Sequence, residues 1–370
     1  MFRRTFLVLS LILGIGFVDV AIVDGQTRLS AREQKVVDQA VAQQMERQKA
    51  VGVAVGVIRD GKVVYLKGYG FADREQQLAV STKSMFRWAS ISKTLTAIAA
   101  MQLVEEGRLD LNADVRTLIP EFPDKGSTIT VRDLLCHQSG IVHYANGPVV
   151  TTHRSYDTEH PFEDVVLALD TFKESPLVNK PRAKYSYSTH AFILLSAVVE
   201  RAGQKKFADQ IQDRIVKPLK LKTLQPDYQW KEISERAVGY LVRNGSVVVS
   251  TNTDVSWKLG GGGFISSIED LADYAAAIVN GEMLQKESWQ NVSTVQTTAD
   301  GNPTPVGLGV FLDGSGAQLR LAHDGSQEKC KTRMVTYPNQ RHGIVVMSNS
   351  QNVNPGEFTT AIYAALAQSN

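Results

Sequence analysis

Ser90 and Lys93 stand three positions apart in the stretch WASISKTLTA, residues 88–97. A serine hydroxyl is a weak nucleophile at neutral pH unless a base takes its proton. On a helix, positions i and i+3 share a face, so a lysine there can bring its amine to the serine oxygen. The amine serves as a base only where its surroundings strip it of its own proton. By itself the spacing also fits a cap serine followed by a solvated lysine. A second match, Ser326 to Lys329, follows a predicted strand and lies in no clear helix. The i,i+3 geometry is not expected there.

Two further stretches hold groups that would complete such chemistry. YSYST, residues 185–189, puts Tyr185 and Tyr187 in a short extended segment ahead of a helix, where a phenol can relay a proton. LAHDGSQ, residues 321–327, places His323, Gly325 and Ser326 at the end of a predicted strand. A glycine allows close backbone approach by a ligand. An edge N–H at this point can hold an oxyanion together with the N–H of Ser90. Taken alone, each tyrosine also reads as half-buried and structural, and His323 as a strand-end side chain bonded to backbone.

The elements that must position these groups follow from periodicity. Residues 31–49 read as a helix, with Val37, Val41 and Met45 four apart. Val51, Val53, Val55 and Val57 then alternate with Gly52, Ala54 and Gly56, which predicts a strand with one branched face and one bare face for a helix to press on. Asp60-Gly61 signals a hairpin, and the return strand runs to about Gly68. A helix over Ser90–Glu106 ends at Gly107. Val131–Leu135 begins another helical piece, and residues 160–235 are mostly helical in pattern. Strand signals return at Val242 and Val247–Val249. After LGGGGF, a helix over Ile268–Asn280 opens with Ser267 and Asp270 in a capping arrangement. Four strands are predicted at Gly307–Leu312, Gln318–His323, Thr332–Tyr337 and Gly343–Ser348, and a last helix at Thr359–Leu366. The expected fold class is α+β. An antiparallel sheet from N- and C-terminal segments is flanked by helices, a helical lobe is inserted, and the site lies in the cleft between. The α/β lobe would take residues of about 26–110 and 238–370, the helical lobe about 111–237.

Composition narrows the classes. Of 370 residues 43% are hydrophobic, and 40 basic side chains nearly balance 38 acidic ones, so no nucleic-acid partner is expected. Arg3 and Arg4 precede an apolar run from Phe6 to Val18 and small residues near Gly25, which reads as an export signal over residues 1–25, or as an uncleaved anchor. The mature chain is expected to be exported, periplasmic or secreted. Cys136 and Cys330 make no disulfide framework, and two buried thiols are the plainer expectation. No metal-ligand spacing and no G-x-S-x-G elbow occur, so no metal or other cofactor is expected.

FRWASISKTLTA, ITVRDLLCHQSGI, YSYSTHAFILLSAVVE, GGGFISSIEDLADYA and HDGSQ, in this order, resemble blocks of the class C serine β-lactamases and low-molecular-weight penicillin-binding proteins. IPEFPDK, SGIVHY and GGGF are similar in style to the mitochondrial serine β-lactamase-like branch, here in an exported, bacterial form. The resemblance covers most of residues 31–366 and implies a β-lactamase/transpeptidase-like fold. It makes Ser90 the acylated nucleophile, Lys93 the aid to its deprotonation, and Tyr187 the tyrosine of Y-x-N, as general base and proton relay. The N–H groups of Ser90 and Ser326 would form the oxyanion hole. His323-Asp324-Gly325 would occupy the K-T-G position. Thr189 stands where the family has asparagine and His323 where it has lysine. A mostly neutral histidine is a weaker carboxylate anchor, and both departures argue against efficient β-lactamase activity. The implied protein is an acyl-enzyme serine hydrolase acting on small-molecule or peptide substrates, as a peptidase or an esterase. The alternatives are a slow β-lactam-binding enzyme and a self-associating scaffold, which would be a homo-oligomer.

Overall fold

Alternation along the first valine-rich strand fixes how the layers stack. In the computed structural model, which describes residues 28–369, α1 (Ala31–Gln48) leads into β1 (Gly52–Arg59) and β2 (Lys62–Asp73). The export signal expected over residues 1–25 lies outside the described residues. Val53, Val55 and Val57 pack with Val37 and Val41 of α1 in a single apolar cluster. On the bare face, a Cβ at Gly56 would stand 2.8 Å from Val345 Cγ2 and 3.0 Å from Ala272 Cβ, so only a glycine lets the helix carrying Ala272 come this close. Asp60 and Gly61 both have positive φ, +54° and +73°, as a two-residue primed hairpin turn requires.

The chain continues through β3 (Leu78–Ala79) and β4 (Phe86–Arg87) into α2 (Ser92–Glu105), α3 (Val131–Leu135), α4 (Thr189–Gly203) and α5 (Phe207–Ile211). β5 (Gln225–Pro226), the hairpin β6 (Tyr240–Arg243) and β7 (Ser246–Val249), α6 (Leu259–Gly262) and β8 (Phe264–Ser266) follow. The last third holds α7 (Ile268–Val279), α8 (Lys286–Val292), β9 (Phe311–Asp313), β10 (Arg320–Gln327), β11 (Cys330–Tyr337), β12 (His342–Ser348) and α9 (Pro355–Ala367). The main sheet runs β3-β2-β1-β12-β11-β10-β9 and is antiparallel throughout. Its centre joins the N-terminal hairpin to the C-terminal strands, with Val55 opposite Val346. Phe358 and Ile362 of α9 share the outer cluster with α1. α7 and α2 supply Leu271, Ala272, Leu95 and Ala99 to the larger core on the other face. α2 is buried on nearly every side, which suits a helix with no polar stripe.

Several sequence expectations change in detail. Residues 160–188 hold only short 3₁₀ turns, Pro161–Glu163 and Leu167–Thr171, where a mostly helical pattern was expected. The strand expected at Gly307–Leu312 shrinks to Phe311–Asp313 because Gly309 takes φ +83° against Ala97. The strand expected to end at His323 runs on to Gln327. Ser267 caps α7, but the Asp270 carboxylate turns away and accepts N–H bonds from Lys222, Thr223 and Leu224 at 2.9, 2.6 and 2.7 Å. That ties the end of the inserted segment to the sheet's own helix. Cys136 and Cys330 are free, buried thiols. No helix among the described residues is long and apolar enough to cross a membrane.

Candidate active site

Trp88 anchors the turn that carries Ser90. Its N–H donates to the Phe264 carbonyl at 2.8 Å, its indole N–H to Ser266 Oγ at 2.6 Å, and its carbonyl accepts from Thr332 Oγ1 at 2.9 Å. The chain then passes through Ala89 at φ +47°, a region a Cβ-bearing residue seldom occupies. Ala89–Ile91 form a 3₁₀ turn that opens directly into α2. Ser90, the expected helix start, therefore lies in this turn two residues ahead of α2, and no side-chain cap bond forms at the start of α2. Lys93, in the first turn of α2, stands at i+3 from Ser90 on a shared face, and its Nζ lies 3.1 Å from Ser90 Oγ.

Lys93 is fully buried while Ser90 remains half-buried at the surface of the cleft. The amine also lies 2.5 Å from the Gly261 carbonyl and 3.1 Å from Thr189 Oγ1. No carboxylate touches it among the described residues. Burial first, and the charge of Lys258 second, hold this amine well below the usual lysine range. A neutral amine has two N–H groups and one lone pair. With the N–H groups spent on Gly261 and Thr189, the lone pair faces the Ser90 hydroxyl.

The YST segment arrives from the N-terminus of α4. Tyr187 sets its ring 5.1 Å from Lys93 Nζ, whereas Tyr185 packs behind it against His137 at 6.0 Å. Burial raises the Tyr187 phenol above the ordinary tyrosine range, with the neighbouring Ser90 hydroxyl opposing. Two imidazoles hold the segment. His137 Nδ1 accepts the Ser188 N–H at 3.2 Å and stacks on Tyr187 at 4.3 Å; His143 Nδ1 accepts the Thr189 N–H at 3.2 Å. Burial, reinforced by Lys93, keeps His137 well below the imidazole range and His143 near about 4, so both remain acceptors.

β10 forms the opposite wall. β9 pairs with it only as far as Ala322, which leaves residues 323–327 an edge without a strand neighbour on that side among the described residues. His323, Gly325 and Gln327 face inward. A Cβ at Gly325 would stand 2.3 Å from the Trp88 carbonyl, and the Gln327 amide lies toward Gly262. His323 is buried, its Nδ1 2.9 Å from the Asp324 carbonyl, and burial with help from Lys93 lowers it to about 3. It is neutral at pH 7. Asp324 and Ser326 point the other way: Asp324 pairs with Arg333 at 2.6 Å, and Ser326 Oγ accepts from Lys331 at 2.7 Å. Only the backbone of Ser326 faces the site. The second S-x-x-K match comes apart as expected, since Lys329 sits in the hairpin turn and bonds Asn252.

Ser90, Lys93, Tyr187, Thr189, His323 and Gly325 thus gather at one cleft, and Ser326 does so through its main chain. Sequence reasoning missed the Gly261 carbonyl, His137, His143, Gln327 and Lys258. The GGGG run was the available signal for the first. A Cβ at Gly261 would meet Thr189 Cγ2 at 2.7 Å, and one at Gly260 would meet Ser196 Cβ at 2.4 Å, so the run lets its backbone lie against α4.

The profile of the Beta-lactamase family matches residues 37–369. Protein flp of Staphylococcus aureus (strain MW2) is 26% identical over 87% of this chain and 64% of its own length. The mitochondrial serine beta-lactamase-like protein LACTB of Homo sapiens is 30% identical over 63% of this chain and 54% of its own length. The chain thus spans somewhat over half the length of these curated relatives. The octameric penicillin-binding protein homologue from Pyrococcus abyssi shares the fold, with a TM-score of 0.75, 24% identity and coverage of 90% of this chain and 77% of that one. The matched span takes in every element from β1 to α9, and the chain belongs to the Beta-lactamase family.

Proposed function

We propose that the chain is a serine hydrolase that works through an acyl-enzyme on ester or peptide substrates, with weak or no β-lactamase activity. The observation that carries this reading is the buried Lys93 amine, held without a carboxylate partner among the described residues, 3.1 Å from Ser90 Oγ. Ser90 Oγ attacks the substrate carbonyl as its proton passes to the Lys93 lone pair. The backbone N–H groups of Ser90 and Ser326 hold the oxyanion. Tyr187, kept protonated by burial, relays a proton between Lys93 and the leaving group rather than acting as a phenolate base. A water then hydrolyses the ester on Ser90.

Two features speak against efficient β-lactam turnover. Thr189 spends its hydroxyl on Lys93, and His323 carries no charge at neutral pH to hold a β-lactam carboxylate. Self-association is a second component of the proposal, supported by the octameric state named for the Pyrococcus abyssi homologue; light scattering of the purified chain tests it. Export is a third, resting on the basic and apolar start of the sequence and tested by N-terminal sequencing of protein from the expressing cell.

Short-chain nitrophenyl esters, short peptides and a chromogenic cephalosporin supply the test of the main reading. Ester or peptide turnover that vanishes in Ser90→Ala, with cephalosporin turnover far slower, is the expected result. Turnover that persists in Ser90→Ala would remove the nucleophile assignment.

A further inference from the structure

Lys258 ends the 3₁₀ turn Ser256–Lys258 just ahead of α6 and is only 7% exposed. Its Nζ lies 5.2 Å from the Trp257 ring centroid and 5.9 Å from that of Tyr144. No ion pair or side-chain hydrogen bond engages it among the described residues. Glu328, the carboxylate acting on it, stands beyond pairing distance, 3.5 Å from Thr253 Oγ1. A buried ammonium without a partner is costly, and two aromatic faces offset only part of that cost.

The other cations around this cleft are occupied. Arg87 is paired with Asp227, Lys329 with Asn252, Lys331 with Ser326 and Arg333 with Asp324. Lys93 is committed to Ser90, Thr189 and Gly261. Lys258 is therefore a buried cation beside the cleft with no ion-pair or hydrogen-bond partner among the described residues. Its place is tied to the chemistry twice: Gly261, three residues on, supplies the carbonyl at Lys93, and Tyr144, beside its amine, adjoins the Thr189 hydroxyl. It lies between the Tyr144 and Trp257 rings, within reach of the charge of Glu328 in the β10–β11 turn.

We propose that Lys258 is the anion anchor of the cleft and binds a carboxylate carried by the substrate, so that Ser90 prefers esters or amides with an acidic group a few bonds from the scissile carbonyl. The proposal rests on the hydrolase reading of Ser90 and adds a substrate class to it. The carboxylate can lie on the acyl side or on the leaving-group side, and two substrate pairs separate the cases. One is nitrophenyl hemiglutarate against nitrophenyl methyl glutarate. The other is an acetylated dipeptide against its C-terminal amide. We expect kcat/KM in one pair to favour the anion by about tenfold or more, the ordinary worth of a charge-assisted hydrogen bond. Lys258→Met should bring that ratio to near one, and Lys258→Arg should keep most of it. A wild-type ratio near one in both pairs, or a ratio that Lys258→Met leaves intact, overturns the proposal.

Glutarate titrated into Ser90→Ala by calorimetry keeps the two readings apart. Glutarate binding that Lys258→Met abolishes, in a chain whose wild type turns over none of the four substrates, would sink the hydrolase reading and keep the anchor. No glutarate binding in that same case would sink both. Should Lys258→Met fail to fold, glutarate and the neutral glutaramide are compared as inhibitors of wild-type ester hydrolysis. Stronger inhibition by glutarate, weakening with salt, supports the anchor; equal inhibition overturns it.

Discussion

A Gly325→Ala chain would carry its new Cβ 2.0 Å from Thr332 Oγ1 and 2.3 Å from the Trp88 carbonyl oxygen, with Ala89 Cβ 3.1 Å away. The first two atoms are joined by the 2.9 Å hydrogen bond that pins the Ser90 turn to β11. Each must retreat by about 1 Å to regain ordinary contact distance. Overpacking of this kind costs about 1–3 kcal/mol, and losing the buried bond adds about 1 kcal/mol. Trp88 cannot swing freely, because its N–H and indole are also fixed to Phe264 and Ser266. The displacement therefore passes to Ala89, already at positive φ, and to Ser90. A shift of about 1 Å at a reacting atom costs on the order of a hundredfold in rate. The assay pairs urea unfolding, followed by tryptophan fluorescence, with the rate at which a fluorophosphonate labels Ser90. A midpoint and a labelling rate equal to wild type would refute the claim that β10 sets the nucleophile's position.

Other outcomes follow from the same geometry. Thr189→Val keeps the side-chain shape but removes one acceptor from the Lys93 amine; labelling of Ser90 should slow by about tenfold, the worth of one such bond, and an unchanged rate would show that this bond does not orient the amine. His323, buried and lowered to about 3, binds a proton more readily in the unfolded chain than in the folded one. Its neutral form therefore costs no stability above about pH 6.5, the unfolded value. Stability should fall by about 1.4 kcal/mol per pH unit for this one residue as pH drops below that, levelling off near 3. Urea unfolding at pH 7 and pH 5 should show a smaller difference for His323→Gln than for wild type; equal differences would mean that His323 does not remain neutral.

The parts legible in the sequence were those written in side-chain type and period. The valine–glycine alternation of β1 gave both faces of the sheet, and Asp60-Gly61 gave the turn. The spacing of Ser90 and Lys93 gave a pair that the structure places 3.1 Å apart. What sequence reasoning missed was carried by the main chain or by strand length. The Gly261 carbonyl has no letter of its own. Because β10 runs to Gln327 rather than stopping at His323, parity sends Asp324 and Ser326 outward and brings Gln327 in. His137 and His143 act on backbone N–H groups some 50 residues away, a pairing no local pattern records. The segment at 160–188 shows the limit of periodicity: its apolar residues, such as Val165 and Leu169, are buried from 3₁₀ turns and loops as well as from helices.

The claim beneath the whole account is that Lys93 reaches Ser90 without its proton. The rate of fluorophosphonate labelling of Ser90, followed by intact mass from pH 6 to pH 10.5, measures it most directly. The account predicts a plateau reached well short of the ordinary lysine value of 10.5, and its loss in Lys93→Met. A rate in the wild type that keeps climbing about tenfold per pH unit through pH 10, or a Lys93→Met chain that labels at the wild-type rate, would contradict it.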